Sequence, residues 1–543
     1  MFYPIKRREC LKINSCVYNT TFKGKFYATT DGHARTPMLA GVLTEIGKQA
    51  KTSNEPQFYI DGGDFLGQSI PLSAVSDVFI KFHEKNPNVQ MIFNMGNVET
   101  ESVLKGSKRA ADVISKLAKN GINFVSLTMK DALKKKNMPN SEILPYMLLE
   151  DEHDGKKEKI LITGIGEFSM KGNEGGVPLK SDVESMKKLL KDELLPVFVK
   201  EKPDKTIIMS HCMKKNTNEL LDYANEIGID NISLVIGGHP HSIEDYEYGQ
   251  TRVLYPPAQG KGAYVVENTS DGIKFDKVPR GDNGYIYEPV LESSSVIANL
   301  DVNNPLPIAQ DYQEILNGDE CKDFQQKIAT ATISLKYRND YDFRVSEPTQ
   351  LGTFIANGYR DCTGADIGLS LSMDLRERAP KAGQDVTAYN ICDVLNVEKN
   401  IFKYGGISAD ELKGMLEVAF KHQKDGIANR DFFEYSDNVK VERVVNADEN
   451  EPKVKQIYIK ENDEFIPLLD ENGKQLNDKK YTVATCEYVA KGPSRESLAY
   501  FQKFPSEKVE GVSARGCFIS QYKKFEQQGI TEFNPSEIVN IYI

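Results

Sequence analysis

Four of the chain's seven histidines, His33, His211, His239 and His241, stand with Asp31, Asp64 and Asn97 in short segments that each follow an apolar run. Carboxylate, imidazole and amide oxygen are suitable ligands for Zn²⁺, Mn²⁺ or iron, and a carboxylate such as that of Asp64 can bridge two such ions about 3.5–4 Å apart. Taken singly, an Asp-Gly turn or a lone histidine is an ordinary surface feature. Seven such residues in sequence order make a candidate cradle for two divalent metals. The residue after Asn97 is Val98, whose side chain can neither donate a proton nor stabilise developing charge.

These residues need a scaffold that brings distant segments to one edge. The runs KFYATTDGH, PQFYIDGGD, VQMIFNMGN, KTIIMSHC and ISLVIGGHPH each read as a buried strand whose carboxyl end breaks into a polar turn. Between them, TPMLAGVLTEIGKQAKT and GSKRAADVISKLAKNG carry apolar residues at helical spacing. Strand, helix, strand in repetition predicts an α/β layered domain. Asp31 to Asp64 and Asp64 to Asn97 are each 33 residues, about one βαβ unit, which sets the three polar groups at equivalent strand ends. Ligands of open α/β sheets collect at that edge.

At 543 residues the chain is too long for one core, so a second domain or a large insertion is expected. The pattern changes near 290–345, where NLDVNNPLPIAQDYQ precedes a helix predicted from about 308 to 330. Beyond it, LGTFIANGYRDCTG reads as a helix with a glycine-bearing end and ADIGLSLS as a strand. SADELKGMLEVAFKHQ reads as a helix capped by Ser408, and NVKVERVVNADENEPKVKQIYIKEN as a hairpin. The expected boundaries are an N-terminal extension over 1–23, a first domain over 24–295, a linker with a helix over 296–345 and a second domain over 346–543.

The formal charge of -11 argues against a broad nucleic-acid surface, while a small phosphorylated ligand can still be drawn in by bound cations. No apolar stretch of about 18 residues is present to span a bilayer, and the N-terminus has no apolar run of a secretory signal. The expected compartment is the cytoplasm, or an export route without a classical signal. Eight cysteines without a CxxC pair favour reduced thiols; only Cys10 and Cys16 are close enough in sequence to suggest a bridge.

The motifs TTDGHAR, IDGGDFLGQS, MGNVETE, MSHC and IGGHPH, in that order, resemble the two-domain 5′-nucleotidase family of calcineurin-like metallophosphoesterases, from about residue 24 to the C-terminus. The resemblance implies a four-layer α/β metallophosphoesterase sandwich followed by an α+β C-terminal 5′-nucleotidase domain. It implies one metal held by Asp31, His33, Asp64 and His241, and a second by Asp64, Asn97, His211 and His239, with Zn or Mn expected. In the family, the third motif reads GNHE with an acidic residue two further on. Here Asn97 is kept as ligand, Glu101 stands at the acidic position, and Val98 replaces the histidine that contacts the scissile phosphate.

In the second domain the resemblance points to Arg376, with Arg378 beside it, as phosphate contacts within MDLR, where the family has GGIR. It points to Phe432 and Tyr488 as the aromatic pair that sandwiches a base. The family's GGDG loop after Tyr488 is replaced by Gly492, Pro493, Ser494 and Arg495. The function implied is a dimetal phosphohydrolase acting on a nucleotide or other phosphorylated small molecule, with reduced or shifted activity, in a monomer or homodimer. The alternative is a non-catalytic nucleotide-binding protein serving as a sensor or exported interaction protein.

Overall fold

The structure, a computed structural model, describes residues 24–542 except 53–56, 68–70, 137–141, 154–155, 171–178, 270–271, 275–295, 299–305, 337–347, 372–378, 396–397, 421–432, 446–452 and 492–495. The described residues fall into two compact units, one made of those from 24 to 66 with those from 72 to 315, the other of Gly67 and Pro71 with those from 316 to 542.

The first unit is built on two sheets. Strands Gly24–Thr29, Gln57–Asp61, Val89–Phe93, Asn123–Val125 and Ile143–Leu144 lie parallel and side by side in one. Strand Gly262–Thr269 pairs antiparallel with the first of them. In the other sheet, Lys156–Gly166, Lys205–His211, Ile232–Gly238 and Thr251–Tyr255 run parallel, flanked by Tyr146–His153 and Glu244–Tyr248.

The strand residues alternate between two cores because successive side chains point to opposite faces. Phe26, Phe58, Ile60 and Ile92 meet Ile207, Met209, Leu234 and Ile236 in the core between the sheets. Tyr59 turns the other way onto Phe79 and Phe82 of helix Leu72–Lys85. On the far side, Ile208, Val235 and Val253 pack against Leu220, Leu221 and Ala224 of helix Lys214–Glu226. Helix, sheet, sheet, helix is the four-layer arrangement expected from the sequence, and all five apolar runs form strands that end at or just before the polar motifs.

The second unit has a mixed five-stranded sheet in the order Phe433–Tyr435, Ile367–Leu371, Tyr481–Cys486, Asn400–Ile407, Ser506–Ser513, and a separate four-stranded sheet that includes the hairpin Val439–Val445 and Lys453–Glu461. Helix Gln350–Thr363 ends on Gly364 in the left-handed region, which glycine enters without steric cost. Ser408 opens helix Ala409–Phe420 by accepting from the Glu411 N–H, while Glu411 accepts from the Ser408 N–H in return.

The single helix predicted over 308–330 is two, Gln310–Leu316 and Asp319–Gln325, followed by strand Lys327–Thr330. Gly318 adopts an extended conformation and restarts the helix, and pairing of Lys327–Thr330 with Asp385–Thr387 overrides local helical spacing. The six described cysteines form no disulfide; Cys10 and Cys16 lie outside the described residues. Among the described residues no helix is long and apolar enough to cross a membrane.

Candidate metal centre

All seven ligand candidates lie at the carboxyl edge of the two sheets; five of them, Asp31, His33, Asp64, His211 and His241, bring ligand atoms within reach of a shared cation, and Asn97 and His239 pair with each other beside them. Asp31 and His33 follow strand Gly24–Thr29, Asp64 follows Gln57–Asp61, and Asn97 opens helix Asn97–Leu104 after Val89–Phe93. His211 ends its strand, and His239 and His241 follow Ile232–Gly238. Asp31, His33, Asp64, His239 and His241 all have positive φ, between 46° and 88°. Non-glycine residues seldom occupy that region, and a cluster of them marks backbone held in place for function.

Two histidine pairs define the geometry. The rings of His33 and His241 lie 4.8 Å apart with their Nε2 atoms at 2.9 Å, and Asp31 Oδ1 is 3.8 Å from the first Nε2 and 3.4 Å from the second. The rings of His211 and His239 are 5.3 Å apart; His211 Nε2 is 3.2 Å from Asp64 Oδ2 and 3.8 Å from Asp31 Oδ1, and His239 Nδ1 is 3.0 Å from Asn97 Oδ1. Two three-residue groups close enough to hold a cation result, Asp31–His33–His241 and Asp31–Asp64–His211. Asp31 is therefore common to both, while Asp64 Oδ2 reaches toward both halves, at 4.0 Å from His33 Nε2.

The charge balance fits bound cations. Asp31 and Asp64 are fully buried, which opposes their ionisation, yet the neighbouring imidazoles outweigh burial and hold both carboxyls below the usual carboxylate range. Burial likewise opposes a charge on His211, but Asp64 and Asp31 push its pKa up to about 10. Burial and the charge on His211 push His239 down to about 4. The proton on His211 thus serves as a cation for the two carboxylates, and a divalent ion would displace it. The buried Nε2 of His211 makes no well-aligned hydrogen bond, as expected of an atom shaped for a ligand. Oxygen and imidazole donors in this number suit Zn²⁺ or Mn²⁺.

The backbone around the cluster is held by Glu99, which sequence reasoning passed over. Its buried carboxylate accepts from the N–H groups of Asp64 (2.9 Å), Leu66 (2.7 Å) and Gly96 (3.0 Å). Glu99 stands three residues after Gly96, the capping-box position of the helix, and at the glutamate of the GNHE-like segment, and these were its two signals in the chain. A Cβ on Gly96 would sit 2.5 Å from Asp64 N, so only glycine permits this approach. The Val98 N–H donates to Asp64 Oδ1 at 2.8 Å, which fixes Val98 beside the cluster with its side chain half-buried. Glu101, one turn on, pairs instead with Lys105 at 2.8 Å on the outer side of the helix.

In the second unit, Tyr488 lies half-buried on helix Glu487–Lys491, and Lys399 Nζ sits 5.1 Å from its ring centroid. Arg376, Arg378, Phe432 and the segment Gly492–Arg495 fall outside the described residues. The neighbouring Phe433 is a core residue, packed on Phe501 at 5.0 Å between ring centroids.

Residues 327–501 match the family model of the 5′-nucleotidase C-terminal domain. No curated protein matches the sequence. Among solved structures, the 5′-nucleotidase precursor of Thermus thermophilus aligns over 96% of this chain and 100% of its own, with a TM-score of 0.63 at 16% identity. The 5′-nucleotidase of Candida albicans aligns over 92% and 98%, with a TM-score of 0.58 at 12% identity. The sulfate thiohydrolase SoxB of Thermus thermophilus aligns over 96% and 95%, with a TM-score of 0.57 at 11% identity. At such identities the likeness is one of fold, and the fold carries more than one chemistry. The chain therefore shares the fold of the two-domain 5′-nucleotidases, and its residues 327–501 match that family's C-terminal domain model.

Proposed function

We propose that the protein is a dimetal phosphohydrolase acting on nucleotides or related phosphate esters. The observation that supports this best is the convergence of three imidazoles, those of His33, His211 and His241, on the buried carboxylates of Asp31 and Asp64, with Asp31 common to both groups. Bound there, two divalent cations would supply Lewis acidity toward phosphoryl oxygens and make water acidic enough to serve as a nucleophile near neutral pH.

The chain's own residues set the remaining terms. Glu99 and the Val98 N–H hold Asp64 in orientation, and His239 and Asn97 are set against each other at 3.0 Å beside the cluster. Val98 provides no proton to a departing oxygen, a contribution worth about 10²- to 10⁴-fold in rate when it is present. Substrates whose leaving groups are stable as anions, such as diphosphates, nucleotide sugars or aryl phosphates, are therefore favoured over simple nucleoside monophosphates.

The test is phosphate release from nucleoside mono-, di- and triphosphates, nucleotide sugars and an aryl phosphate with Mn²⁺ or Zn²⁺, set against Asp64→Asn. Metal-dependent turnover lost in the variant supports the reading; activity that persists in Asp64→Asn contradicts it. A second reading, a nucleotide-binding protein without turnover, draws on Val98 and on Lys399, whose ammonium lies against the ring of Tyr488. Tight nucleotide binding with no hydrolysis of any member of the panel would favour it.

A further inference from the structure

Behind the metal cluster, away from the ligands themselves, lies Asn94, fully buried at the end of strand Val89–Phe93. Its amide nitrogen is 3.3 Å from Gly62 O, 3.0 Å from Ile165 O and 3.2 Å from Met209 O. Three carbonyls around one atom identify that atom as the donor nitrogen. Gly62 follows a strand of the first sheet, whereas Ile165 and Met209 belong to adjacent parallel strands of the second, so one side chain ties the carboxyl ends of three strands across the two sheets. Its own N–H bonds Asp61 O at 2.8 Å, and a Cβ on Gly164 would run into its side-chain oxygen, so the amide has no room to turn.

Gly62 O is also the partner of His211 Nδ1, at 3.1 Å. That contact fixes the histidine's tautomer: with Nδ1–H donated to a carbonyl, Nε2 is the free ligand atom, and Nε2 is the atom facing Asp31 and Asp64.

We infer that Asn94 is a positioning residue for the His211 half of the cradle, acting by clamping the Gly62 carbonyl that orients the ring. The inference rests on the metal-binding reading above but concerns one half of the cluster only. The hydrogen bonds of Asn94 end on Gly62, Ile165, Met209 and Asp61, none of which belongs to the Asp31–His33–His241 group, so removing the amide separates the two sites in affinity. Partners of metal-ligating histidines typically contribute about 10- to 100-fold in metal affinity. A general loss of packing would not single out one ion of two.

The experiment is a Co²⁺ titration of the metal-free full chain, followed by calorimetry and by the visible spectrum of the bound ion, for the wild type, Asn94→Leu and Asn94→Ser. Expected are two binding events in the wild type; in Asn94→Leu one of them is weakened by about 10- to 100-fold with an altered spectrum, and the other is unchanged. Asn94→Ser, which keeps a smaller polar group and covers the case in which the leucine variant does not fold, shows the same selective weakening. Two undiminished events in either folded variant, or equal weakening of both, overturn the inference while leaving the metal reading intact. A wild type that takes up no Co²⁺, Mn²⁺ or Zn²⁺ overturns both, and so distinguishes the two failures.

Discussion

Replacing Asp31 by asparagine removes one of the two carboxylates that hold a proton on His211. In the metal-free protein that proton is retained to about pH 10 against an ordinary value of 6.5. A base held more tightly in the folded state stabilises the fold fully below pH 6.5, and that stabilisation is lost as pH rises toward 10. For a buried pair the loss is on the order of 3–5 kcal/mol. Asp64 is the larger contributor and Asp31, whose Oδ1 is 3.8 Å from His211 Nε2, the next.

Asp31→Asn should therefore flatten the decline by about 1–2 kcal/mol. The assay is urea unfolding in EDTA from pH 6.5 to 10, read as the difference between variant and wild type, so that other titrating groups cancel. Repeated in saturating Mn²⁺, the wild-type curve should turn upward with pH, because metal uptake requires His211 to release its proton. Parallel declines for wild type and variant in EDTA would refute the coupling of Asp31 to His211.

Val98→His should raise turnover of poor leaving-group substrates more than of aryl phosphates, up to about 10²-fold, in steady-state assays; an equal effect on both classes would mean that position 98 no longer faces the departing oxygen. Asp61, buried at its strand end and bonded by Thr29 Oγ1 (2.7 Å) and Gly63 N (2.9 Å), has its carboxyl pushed by burial up to about 7. A raised carboxyl stabilises fully below its ordinary value of 3.8 and loses that contribution as pH climbs to about 7. Asp61→Asn should thus gain on wild type by about 1–3 kcal/mol between pH 4.5 and 7.5, measured as urea midpoints in EDTA.

Much of this architecture was legible in the chain because strands and ligands were coupled in it. The even spacing of Asp31, Asp64 and Asn97 and the apolar run before each motif located the strand ends without reference to three dimensions. What the chain did not disclose were contacts made through the backbone. Glu99, although it lies in the GNHE-like segment, carried no assigned role, and Asn94 read as a strand-end asparagine; their roles depend on which amides and carbonyls face them once the sheets are stacked. The sharing of Asp31 between both halves has the same origin, since the sequence orders ligands but does not fix distances between them. Glu101 shows the converse: its place in the motif suggested a role at the reacting centre, yet the helix turns it toward Lys105. At 308–330, helical spacing alone missed the restart at Gly318 and the strand that follows.

The most direct test of the account is the number of metal ions bound per chain after equilibrium dialysis against Mn²⁺ or Zn²⁺, measured by elemental analysis for the wild type, Asp64→Asn and His33→Ala. Two ions in the wild type, at most one in His33→Ala and loss of occupancy in Asp64→Asn are predicted. A wild type that retains no ion, or variants that retain two, would contradict the assignment of these seven residues as a two-metal cradle.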